Sequence, residues 1–533
     1  MSIHFCSIFF FVLTGALGAS DYYDAAVVEV QFPFRNITQE DELLNSTIQE
    51  YIRLIKSVPT NLDIIVFPES ALGEAEPTPV PAPFKQLLCN STAPEYKDYL
   101  KQLSCAAMEK KTTVVINVRE VVDCKDPPSD EYCTRHGNKL DSVLHNTDVV
   151  FDHNGHVAAR YRKWNLFGES SKSITRSPEV VTFKTKANDT FGIFTCFDIM
   201  FDVPTLNLTR NMHVKNVIFP NHWFSELPYL TALQAQHMWA QENDVVLLTA
   251  GANTPHTGSG GTGMFVGHKG ALDQIMLPSL SGSKLLLHKV PRMNASAYTT
   301  FNNIASDEDI DALAAEMDNF TLQRDPVLDE QNSVQLNTKK STVTEEICHG
   351  KSVKTCCRFK VNFTVNSTAL PPGKKAYTYH MGVFNGEVSP WTRKAGIESC
   401  AIMACLTDDP MSCGKRFPKY SDIVWPITFN SIEVLGNFTN VEDKIQYPNS
   451  LLASLRSISP MKTSWTKEVQ DDVVLRTHSL VQPQSRILTF GIYGRDFSRD
   501  GPPPSYSAAS LNTIVSVLVI VILISAVELF QIY

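Results

Sequence analysis

Short apolar runs alternate with helix-like segments from residue 22 to residue 290, and this alternation restricts the fold more than any other feature of the chain. The runs AAVVEVQF, LDIIVF and TTVVINV are rich in Val and Ile, which is typical of strands buried on both faces. Between the first two runs, Thr38 is placed to cap a helix that continues through EDELLNSTIQEYIRLIKSV. Strands that alternate with helices in this way predict a layered α/β domain.

Two hairpins and another strand–helix–strand unit complete the pattern. The segment NTDVVFDHNGHVAARYR contains two β-rich runs that meet at Asn154 and Gly155, a dipeptide that favours a type I′ turn. The segment VVTFKTKANDTFGIFT has the pattern of a second hairpin. VKNVIFP and DVVLLTAG are further predicted strands, with the helix-like LTALQAQHMWAQEN between them. We therefore expect the α/β domain to occupy residues 21–290.

The remainder of the chain predicts a second domain. A chain of 533 residues is too long for one ordinary hydrophobic core. Residues 291–340 are polar and acidic, which indicates a linker or a surface excursion. Between residues 341 and 500, six cysteines lie among the β-like runs FKVNFTV, YTYHMGVF and ILTFGIYG. We expect a smaller, β-rich domain there that is stapled by disulfides.

The N-terminal sequence predicts entry into the secretory pathway. Residues 1–20, MSIHFCSIFFFVLTGALGAS, indicate a signal peptide, since a short apolar stretch is followed by small residues; a buried N-terminal strand is the alternative. Ten N-x-S/T triplets without Pro favour a glycosylated exterior. These sequons begin at Asn36, Asn45, Asn90, Asn188, Asn207, Asn294, Asn319, Asn362, Asn366 and Asn437.

The C-terminal sequence predicts a glycolipid anchor. Residues 501–533 combine a Pro-rich polar spacer, small residues and an aliphatic tail, which is the pattern of a GPI-anchor signal whose tail is removed. Attachment would fall at Ser505 or Ser507. A transmembrane helix, which basic residues would normally follow, and a buried helix are the alternatives. We therefore expect the protein on the extracellular face of the cell membrane.

The cysteine count leaves one thiol over. Of the twelve cysteines, Cys6 leaves with the signal peptide, and the remaining eleven (12 − 1) are an odd number. In an oxidising compartment ten of them can form five disulfides. Cys196 is the natural candidate for the free thiol, because it lies in the apolar run GIFTCFDIM without a neighbouring cysteine. Parity alone fits any of the eleven.

Three polar residues come directly after strand-like runs. Glu69 follows DIIVFP, Lys163 follows HVAARYR, and Cys196 follows FGIFT. Catalytic groups in α/β folds gather at the carboxyl ends of strands, although charged residues also end strands simply because solvent begins there. A carboxylate can take the proton of a thiol, and an ammonium can stabilise a thiolate and an oxyanion. The three residue types together predict nucleophilic acyl chemistry without a histidine.

The motifs IIVFPES, RYRKWNLFGE and GIFTCFDIMF resemble those of the nitrilase superfamily, most closely its vanin and biotinidase branch. The motifs occur in the family's order, and the resemblance covers residues 22–290 strongly and the rest more loosely. It implies an α-β-β-α sandwich with a vanin-type domain at 341–500 beside it. It also implies a secreted amidase that cleaves pantetheine to pantothenate and cysteamine, or alternatively cleaves biotinyl amides, and needs neither a metal nor a cofactor.

The resemblance implies a role for each of the three residues. Glu69 would be the general base and later the general acid. Lys163 would stabilise the oxyanion, together with the backbone N–H of Phe197. Cys196 would be the nucleophile that carries the acyl group as a thioester.

Several neighbouring residues are weaker candidates. Glu169 either orients Lys163 or is an exposed residue at a helix start. Asp198 is expected to bond locally to its turn rather than to take part in the chemistry. Trp223 stands where the family has a pocket tryptophan, and Asn221 and His222 stand before it in place of smaller residues. His222 is therefore a candidate to line the pocket.

Other functional classes fit the sequence less well. No papain-like or caspase-like signature surrounds Cys196, and the Gly-rich TGSGGTGMF lacks the Gly-Lys-Ser/Thr ending of a phosphate-binding loop. The net charge of −9 gives no indication of nucleic-acid binding. A non-catalytic surface glycoprotein on the same fold is the rival from another class. The expected partners are a small-molecule amide and, through the anchor, a membrane.

Overall fold

The computed structural model describes residues 20–31, 40–72, 76–124, 141–279, 282–293, 301, 305–351, 354–366, 370–389 and 393–503. The signal peptide, the Thr38 cap, the sequons at Asn36 and Asn294, and the anchor residues Ser505 and Ser507 lie outside the described residues. Within the described ranges, no helix is both long enough and apolar enough to cross a membrane.

The first domain contains three α-helices and thirteen strands among the residues that the structure describes. The helices are α1 (Glu40–Ser57), α2 (Asp98–Lys110) and α3 (Ala232–Asn243). The strands are β1 (Tyr22–Gln31), β2 (Ile64–Val66), β3 (Thr113–Asp123), β4 (Ser142–Phe151), β5 (Val157–Arg162), β6 (Val181–Lys184), β7 (Thr190–Ile193), β8 (Asn216–Asn221), β9 (Glu226–Leu227), β10 (Val246–Asn253), β11 (Thr262–Val266), β12 (Ala271–Ile275) and β13 (Lys284–Pro291).

Twelve of these strands form two layers of sheet. One layer has the order β5-β4-β3-β2-β1-β13, and the other has the order β6-β7-β8-β10-β11-β12. The last two residues of β1 pair with β10, so the layers are joined along β1. Because β2 and β3 are parallel to β1, and β7 and β8 are parallel to β10, these strands all end at one edge of the domain.

The two faces of the first layer bury different partners. On β1, Val28 packs with α1 and α2, whereas Val27 packs in the interior between the two sheets. This alternation follows from the two-residue period of a strand, and burial on both faces explains the near-continuous apolar runs. Helix α3 packs on the outside of the second layer. The prediction of an α-β-β-α sandwich is therefore confirmed.

The β4–β5 hairpin forms as predicted, but the prediction of a type I′ turn is wrong. Gly155 has a φ of 83°, and it is the only residue of the Asn154–Gly155 pair with a positive φ. The Gly155 N–H donates to the Asp152 carbonyl at 2.9 Å, which defines a type I turn followed by a left-handed glycine. The Asp152 carboxylate accepts from the N–H groups of Asn154 and His156, and these two bonds stabilise this alternative.

The second domain and the segment before it contain one α-helix and eleven strands in the described ranges. These elements are α4 (Asp307–Glu316), β14 (Gln323–Arg324), β15 (Asn332–Gln335), β16 (Thr342–His349), β17 (Thr355–Val365), β18 (Thr378–Val388), β19 (Ala395–Cys405), β20 (Ile427–Thr439), β21 (Lys444–Leu452), β22 (Thr463–Gln470), β23 (Val473–Leu480) and β24 (Ile487–Asp496).

Two five-stranded antiparallel sheets form a sandwich in this domain. Their orders are β15-β18-β19-β24-β21 and β16-β17-β20-β23-β22. Every residue of β19 and β24 is buried, because one face of their sheet packs on the other sheet and the opposite face packs on the first domain. Helix α3 contacts β21, which explains why this helix is buried over most of its circumference.

The segment predicted as a linker or excursion, residues 291–340, holds ordered elements. Strand β14 pairs with β9 of the first domain, and β15 is the edge strand of a second-domain sheet. Helix α4 is held to the second domain by Arg486, which pairs with Asp307 and Asp311. The polar composition of the segment reflects these ion pairs and short elements that each bury only a few residues.

The disulfides agree with the prediction made from the number of cysteines. All six second-domain cysteines are paired, as Cys348–Cys356, Cys357–Cys400 and Cys405–Cys413. In the first domain Cys89 is bonded to Cys105, and Cys124 is disulfide-bonded to a residue outside the described ranges. Cys196 is the free cysteine of the described residues, as its position predicts.

The sequon asparagines that the structure describes are all accessible to some degree. Six are exposed and two are half-buried, namely Asn45, Asn90, Asn188, Asn319, Asn366 and Asn437, and Asn207 and Asn362. Their positions permit glycans, and glycosylation itself stays a prediction.

Candidate active site

The strand ends bring the three predicted catalytic residues to one place. Glu69 lies three residues after β2, Lys163 directly follows β5, and Cys196 lies three residues after β7. Strand β5 runs in the same direction as β2, because β3–β4 and β4–β5 are both antiparallel pairs. All three strands therefore point to the same edge of the sandwich, where their carboxyl ends meet.

Glu69 and Lys163 form a buried ion pair. The Nζ of Lys163 lies 2.7 Å from Oε1 of Glu69, and both residues are 2 % exposed. The other oxygen, Oε2, accepts a hydrogen bond from the His222 backbone N–H at 2.9 Å. The carboxylate is thus fixed on both oxygens, and a charge-assisted bond of this kind holds its direction well.

Glu169 is a second carboxylate on Lys163. Its Oε2 lies 2.8 Å from Nζ, and its Oε1 accepts from Nδ2 of Asn146 at 2.5 Å. The same Nδ2 donates to Oε1 of Glu69 at 2.7 Å. Of the two alternatives for Glu169, the structure supports the one in which it orients Lys163. Since an ammonium has three donors, the two carboxylates leave one N–H of Lys163 unused by them.

Cys196 begins a short 3₁₀ turn, Cys196–Met200, in a strained backbone conformation. Its φ is +46°, which is uncommon for a residue with a side chain and is typical of functional sites. The first hydrogen bond of the turn runs from the Asp198 N–H to the Thr195 carbonyl at 3.0 Å. The N–H of Phe197 therefore precedes the bonded part of the turn and can donate to another group.

Asp198 bonds locally, as expected. It is fully buried, and its carboxylate accepts from the Thr195 N–H at 3.0 Å and from the Tyr161 hydroxyl at 2.6 Å. It also accepts from the backbone N–H and from Nδ2 of Asn165, both at 2.8 Å. Burial raises its pKa to about 6 against the opposing effect of these bonds. Asp198 thus closes the turn that presents the thiol.

The charge states of the three residues follow from burial and from one another. Burial alone would raise the pKa of Glu69, but the Lys163 ammonium overcomes this and lowers it below the ordinary value. Burial opposes the charge of Lys163, yet Glu169 and Glu69 together hold the Lys163 pKa well above its ordinary value. Burial and the Glu69 carboxylate raise the pKa of the Cys196 thiol. The resting site therefore holds a carboxylate, an ammonium and a protonated thiol.

A buried polar network links the loop of Glu69 to the turn of Cys196. Nδ2 of Asn117 donates to Asn146 at 2.7 Å and to Asp148 at 2.8 Å, and its Oδ1 accepts from the Ser70 N–H at 2.9 Å. The other oxygen of Asp148 accepts from the Thr195 hydroxyl at 2.5 Å. Burial raises the pKa of Asp148 to about 7. Such networks position the groups that do the chemistry.

A cavity opens beside Cys196, and we call it the Cys196 cavity. His222 and Trp223 both line it, so His222 is placed where the sequence made it a candidate. The Trp223 indole donates to the Leu230 carbonyl at 2.9 Å, and His222 Nε2 lies 3.3 Å from the Thr254 hydroxyl. Asn221 is buried and bonds to backbone carbonyls, so it supports the wall rather than lining it.

The sequence did not identify Asn146, Asn117 or the second-domain part of the cavity. Asn146 is the first residue of the predicted hairpin segment, and its carbonyl accepts from the Lys163 N–H at 2.9 Å. The register of that hairpin was the signal that could have placed Asn146 opposite Lys163. The cavity wall also contains Val388, Ile397 and Tyr493 of the second domain.

No group of three or more His, Cys, Asp and Glu side chains in the described ranges is arranged to hold a metal ion. The charged groups of the site are instead paired with one another, since Lys163 forms ion pairs with both Glu69 and Glu169.

Comparison with known proteins agrees with this fold. A family model for carbon–nitrogen hydrolases matches residues 26–260, and a model for the vanin C-terminal domain matches residues 320–500. Vanin-like protein 3 of Drosophila melanogaster is 34% identical over 486 residues, which covers 89% of each chain. Human pantetheinase is 27% identical over 422 residues, covering 79% of this chain and 75% of that protein. The chain belongs to the carbon–nitrogen hydrolase (nitrilase) superfamily, in its vanin branch.

The solved structure of Nit3 from Saccharomyces cerevisiae, a member of branch 10 of the nitrilase superfamily, also resembles this chain. Its TM-score is 0.38 at 16% identity, and the match covers 54% of this chain and 97% of that chain. Family membership defines the class of reaction, which is hydrolysis of carbon–nitrogen bonds in amides other than peptides.

Proposed function

We propose that this protein hydrolyses a linear amide through a thioester on Cys196, and that pantetheine is its substrate. The observation that carries the proposal is the buried Glu69–Lys163 pair, 2.7 Å apart, beside the free thiol of Cys196. A protonated thiol is a poor nucleophile, and the adjacent carboxylate is the base that can activate it. The same carboxylate is held by the His222 N–H, so its second oxygen is also fixed.

The first half of the reaction forms the thioester. Glu69 takes the thiol proton as the Cys196 sulfur attacks the amide carbonyl carbon, and a C–S bond forms. The oxyanion accepts hydrogen bonds from the remaining Nζ–H of Lys163 and from the Phe197 N–H. As the tetrahedral intermediate collapses, the C–N bond breaks and Glu69 returns its proton to the departing amine. For pantetheine the departing amine is cysteamine.

The second half releases the acid. Water takes the place of the amine, and Glu69 removes a proton from it as its oxygen attacks the thioester carbonyl. Collapse of this second intermediate breaks the C–S bond, and the sulfur regains its proton from Glu69. The products from pantetheine are pantothenate and cysteamine, and no external oxidant or reductant is required.

Two features support pantetheine as the substrate. The relatives from several mammals that match over about three quarters of their own length are named pantetheinase. The Cys196 cavity is lined mainly by apolar side chains with a few polar groups, which suits an acyl half that carries both methyl and hydroxyl groups. Biotinyl amides are the alternative substrate, since the three catalytic residues would treat both amides alike.

The location of the protein is part of the proposal. The signal-peptide pattern, the sequons and the paired cysteines support secretion into an oxidising compartment. The composition of residues 501–533 supports a GPI anchor and attachment to the extracellular face of the membrane. Release of the full-length protein from cells by a phosphatidylinositol-specific phospholipase would support the anchor, and retention after that treatment would contradict it.

Product analysis tests the proposed reaction. Purified protein is given pantetheine and biotinyl-lysine in separate reactions, and the products are measured by mass spectrometry. We expect pantothenate and cysteamine from the first reaction and an acyl adduct on Cys196 in quenched samples. Cys196→Ala is the control and should release neither product. Equal turnover by wild type and Cys196→Ala would refute the mechanism. Faster release of biotin than of pantothenate would show that biotinyl amides, rather than pantetheine, are the preferred substrate.

A further inference from the structure

Part of the wall of the Cys196 cavity belongs to the second domain and the segment before it. This wall is apolar at Pro326, Val327, Val388 and Ile397. Polar groups at Asp325 and Tyr493 interrupt it. Asp325 is 3 % exposed and Tyr493 is 1 % exposed, so both are withdrawn from bulk water. A buried polar group that lines a cavity needs a partner, and its partner is either protein or ligand.

One oxygen of Asp325 accepts a hydrogen bond from the described residues, and the other accepts none from them. Asp325 caps the 3₁₀ turn Pro326–Asp329, and Oδ1 accepts from the Val327 N–H at 2.9 Å. Oδ2 accepts no hydrogen bond from any residue that the structure describes, yet the side chain lines the cavity. Burial raises the pKa of this carboxyl to about 6, so it is mainly ionised at neutral pH.

The hydroxyl of Tyr493 is a second polar group of this wall that lacks a hydrogen-bond partner among the described residues. The residue lies on β24, and its ring centre is 5.6 Å from that of Tyr229. Its hydroxyl makes no hydrogen bond with the described part of the chain. Burial raises the Tyr493 pKa well above its ordinary value, and Asp325 is the charge that acts most strongly on it. The two polar groups are therefore neighbours in the cavity wall, one an acceptor and the other a donor.

We infer that Asp325 and Tyr493 form a subsite for a hydroxyl group in the acyl half of the substrate, away from the scissile amide. A hydroxyl can donate to Oδ2 of Asp325 and accept from the Tyr493 O–H at the same time. The surrounding apolar side chains would cover the hydrocarbon part of the same acyl group. This inference rests on the proposed function, because it names the acyl half of pantetheine, which carries two hydroxyls, as the occupant.

The same wall disfavours an anionic acyl group. A carboxylate or a phosphate in this position would meet the Asp325 carboxylate, and the described cavity-lining residues include no Lys or Arg. Bringing two like charges together in a buried site is costly. The subsite therefore selects neutral, hydroxylated acyl groups, and the selecting residues lie outside the domain that carries the nucleophile.

The test compares two substrates in matched variants of the full-length protein. The substrates are pantetheine and an analogue in which hydrogen replaces both hydroxyls of the acyl half. Tyr493→Phe removes only the O–H, and Asp325→Asn keeps a side chain that caps a helix equally well. We expect each variant to lose about tenfold in kcat/KM for pantetheine and less than twofold for the analogue.

A control for the capping role is available in the same chain. Asp409 also precedes a proline and caps a 3₁₀ turn, with Oδ1 accepting from the Met411 N–H at 2.9 Å, but it is exposed. Asp409→Asn should leave kcat/KM for both substrates unchanged. Equal losses on pantetheine and its analogue in Tyr493→Phe would overturn the subsite while leaving the proposed function intact. If wild type hydrolyses neither compound, the proposed substrate and the subsite both fail.

Discussion

The guanidinium of Arg393 lies 3.9 Å from the centre of the Phe201 ring. Arg393 belongs to the second domain, and Phe201 ends the turn that begins at Cys196. Arg393 also donates to Oδ1 of Asn165, whose Nδ2 donates to Asp198 in the same turn. Arg495 adds a bond from its Nε to the Met200 carbonyl at 2.8 Å. The second domain therefore holds the backbone that presents the Cys196 thiol.

Replacing Arg393 should slow the chemistry more than it weakens substrate binding. In Arg393→Gln the cation–π contact is lost, and the contact to Asn165 is weakened, so the Cys196 turn becomes less well fixed. We expect kcat for the amide substrate to fall about tenfold with KM changed less than threefold. Arg486→Gln is the control, since Arg486 makes ion pairs to α4 away from the site. A KM effect alone would contradict a positioning role.

Glu169 should set the alkaline limit of activity. Its carboxylate is the strongest of the charges that raise the pKa of Lys163, so Glu169→Gln lowers that pKa. The Lys163 ammonium is then lost at a lower pH, and the alkaline limb of the kcat/KM profile should move to lower pH. Glu179→Gln is a matched change, because Glu179 is half-buried and accepts from the Arg162 N–H at 3.1 Å rather than from Lys163. An unmoved alkaline limb would exclude this role for Glu169.

Two disulfides of the second domain should differ in their contribution to stability. The Cys357–Cys400 bond closes a separation of 43 residues, whereas Cys405–Cys413 closes one of 8. The loop-entropy relation gives about 4 kcal/mol for the first bond and about 2.5 kcal/mol for the second. Double replacement by alanine at each pair, followed by thermal unfolding, measures the difference. We expect the larger fall in Tm for Cys357→Ala/Cys400→Ala, and the reverse order would show that loop length does not dominate.

A buried histidine should make the protein less stable at acidic pH. Burial lowers the pKa of His237 to about 4, and its Nε2 has no hydrogen-bond partner in the described structure. An unfolded histidine takes a proton below a pH of about 6.5 and the folded one does not, so stability falls between about pH 6.5 and pH 4. At pH 5 the loss from this residue is about 2 kcal/mol.

The variant His237→Phe should lose less stability than wild type between pH 7 and pH 5, as measured by the Tm at each pH. The ring of residue 237 lies 5.6 Å from that of Phe265, so an aromatic replacement retains the packing. His268→Phe is the exposed control, and its pH dependence should match that of wild type. The same pH dependence in all three proteins would place the acid sensitivity elsewhere.

The meeting of the three proposed catalytic residues was predictable because each of them follows the carboxyl end of a strand. Glu69, Lys163 and Cys196 each stand within three residues of a strand, and the strands could be recognised from their Val and Ile content. The odd number of cysteines required one free thiol, and the lack of a neighbouring cysteine made Cys196 the candidate, which is the free cysteine of the described residues. The layered fold was predictable for the same reason, since strand and helix periods alternate clearly in the first domain.

What could not be predicted depends on contacts between distant segments. Asn146 donates to Glu69 and accepts from Asn117, which lies on the neighbouring strand, and no local pattern marks either asparagine. Asp325 and Tyr493 enter the cavity wall only because the second domain packs on the first. The hairpin turn at Gly155 was predicted, but its type was not, because the Asp152 side chain, which lies outside the Asn-Gly pair, determines the turn geometry.

Burial of β19 and β24 on both faces has a consequence for folding during synthesis. The ribosome synthesises the first domain, which carries Cys196, before it synthesises the second-domain strands that cover the Cys196 cavity. Until β24 is released, apolar surface on both domains faces solvent and can bind to other nascent chains. Hydrolytic activity should therefore arise only after release of the whole chain, and a chain truncated before β24 should be inactive.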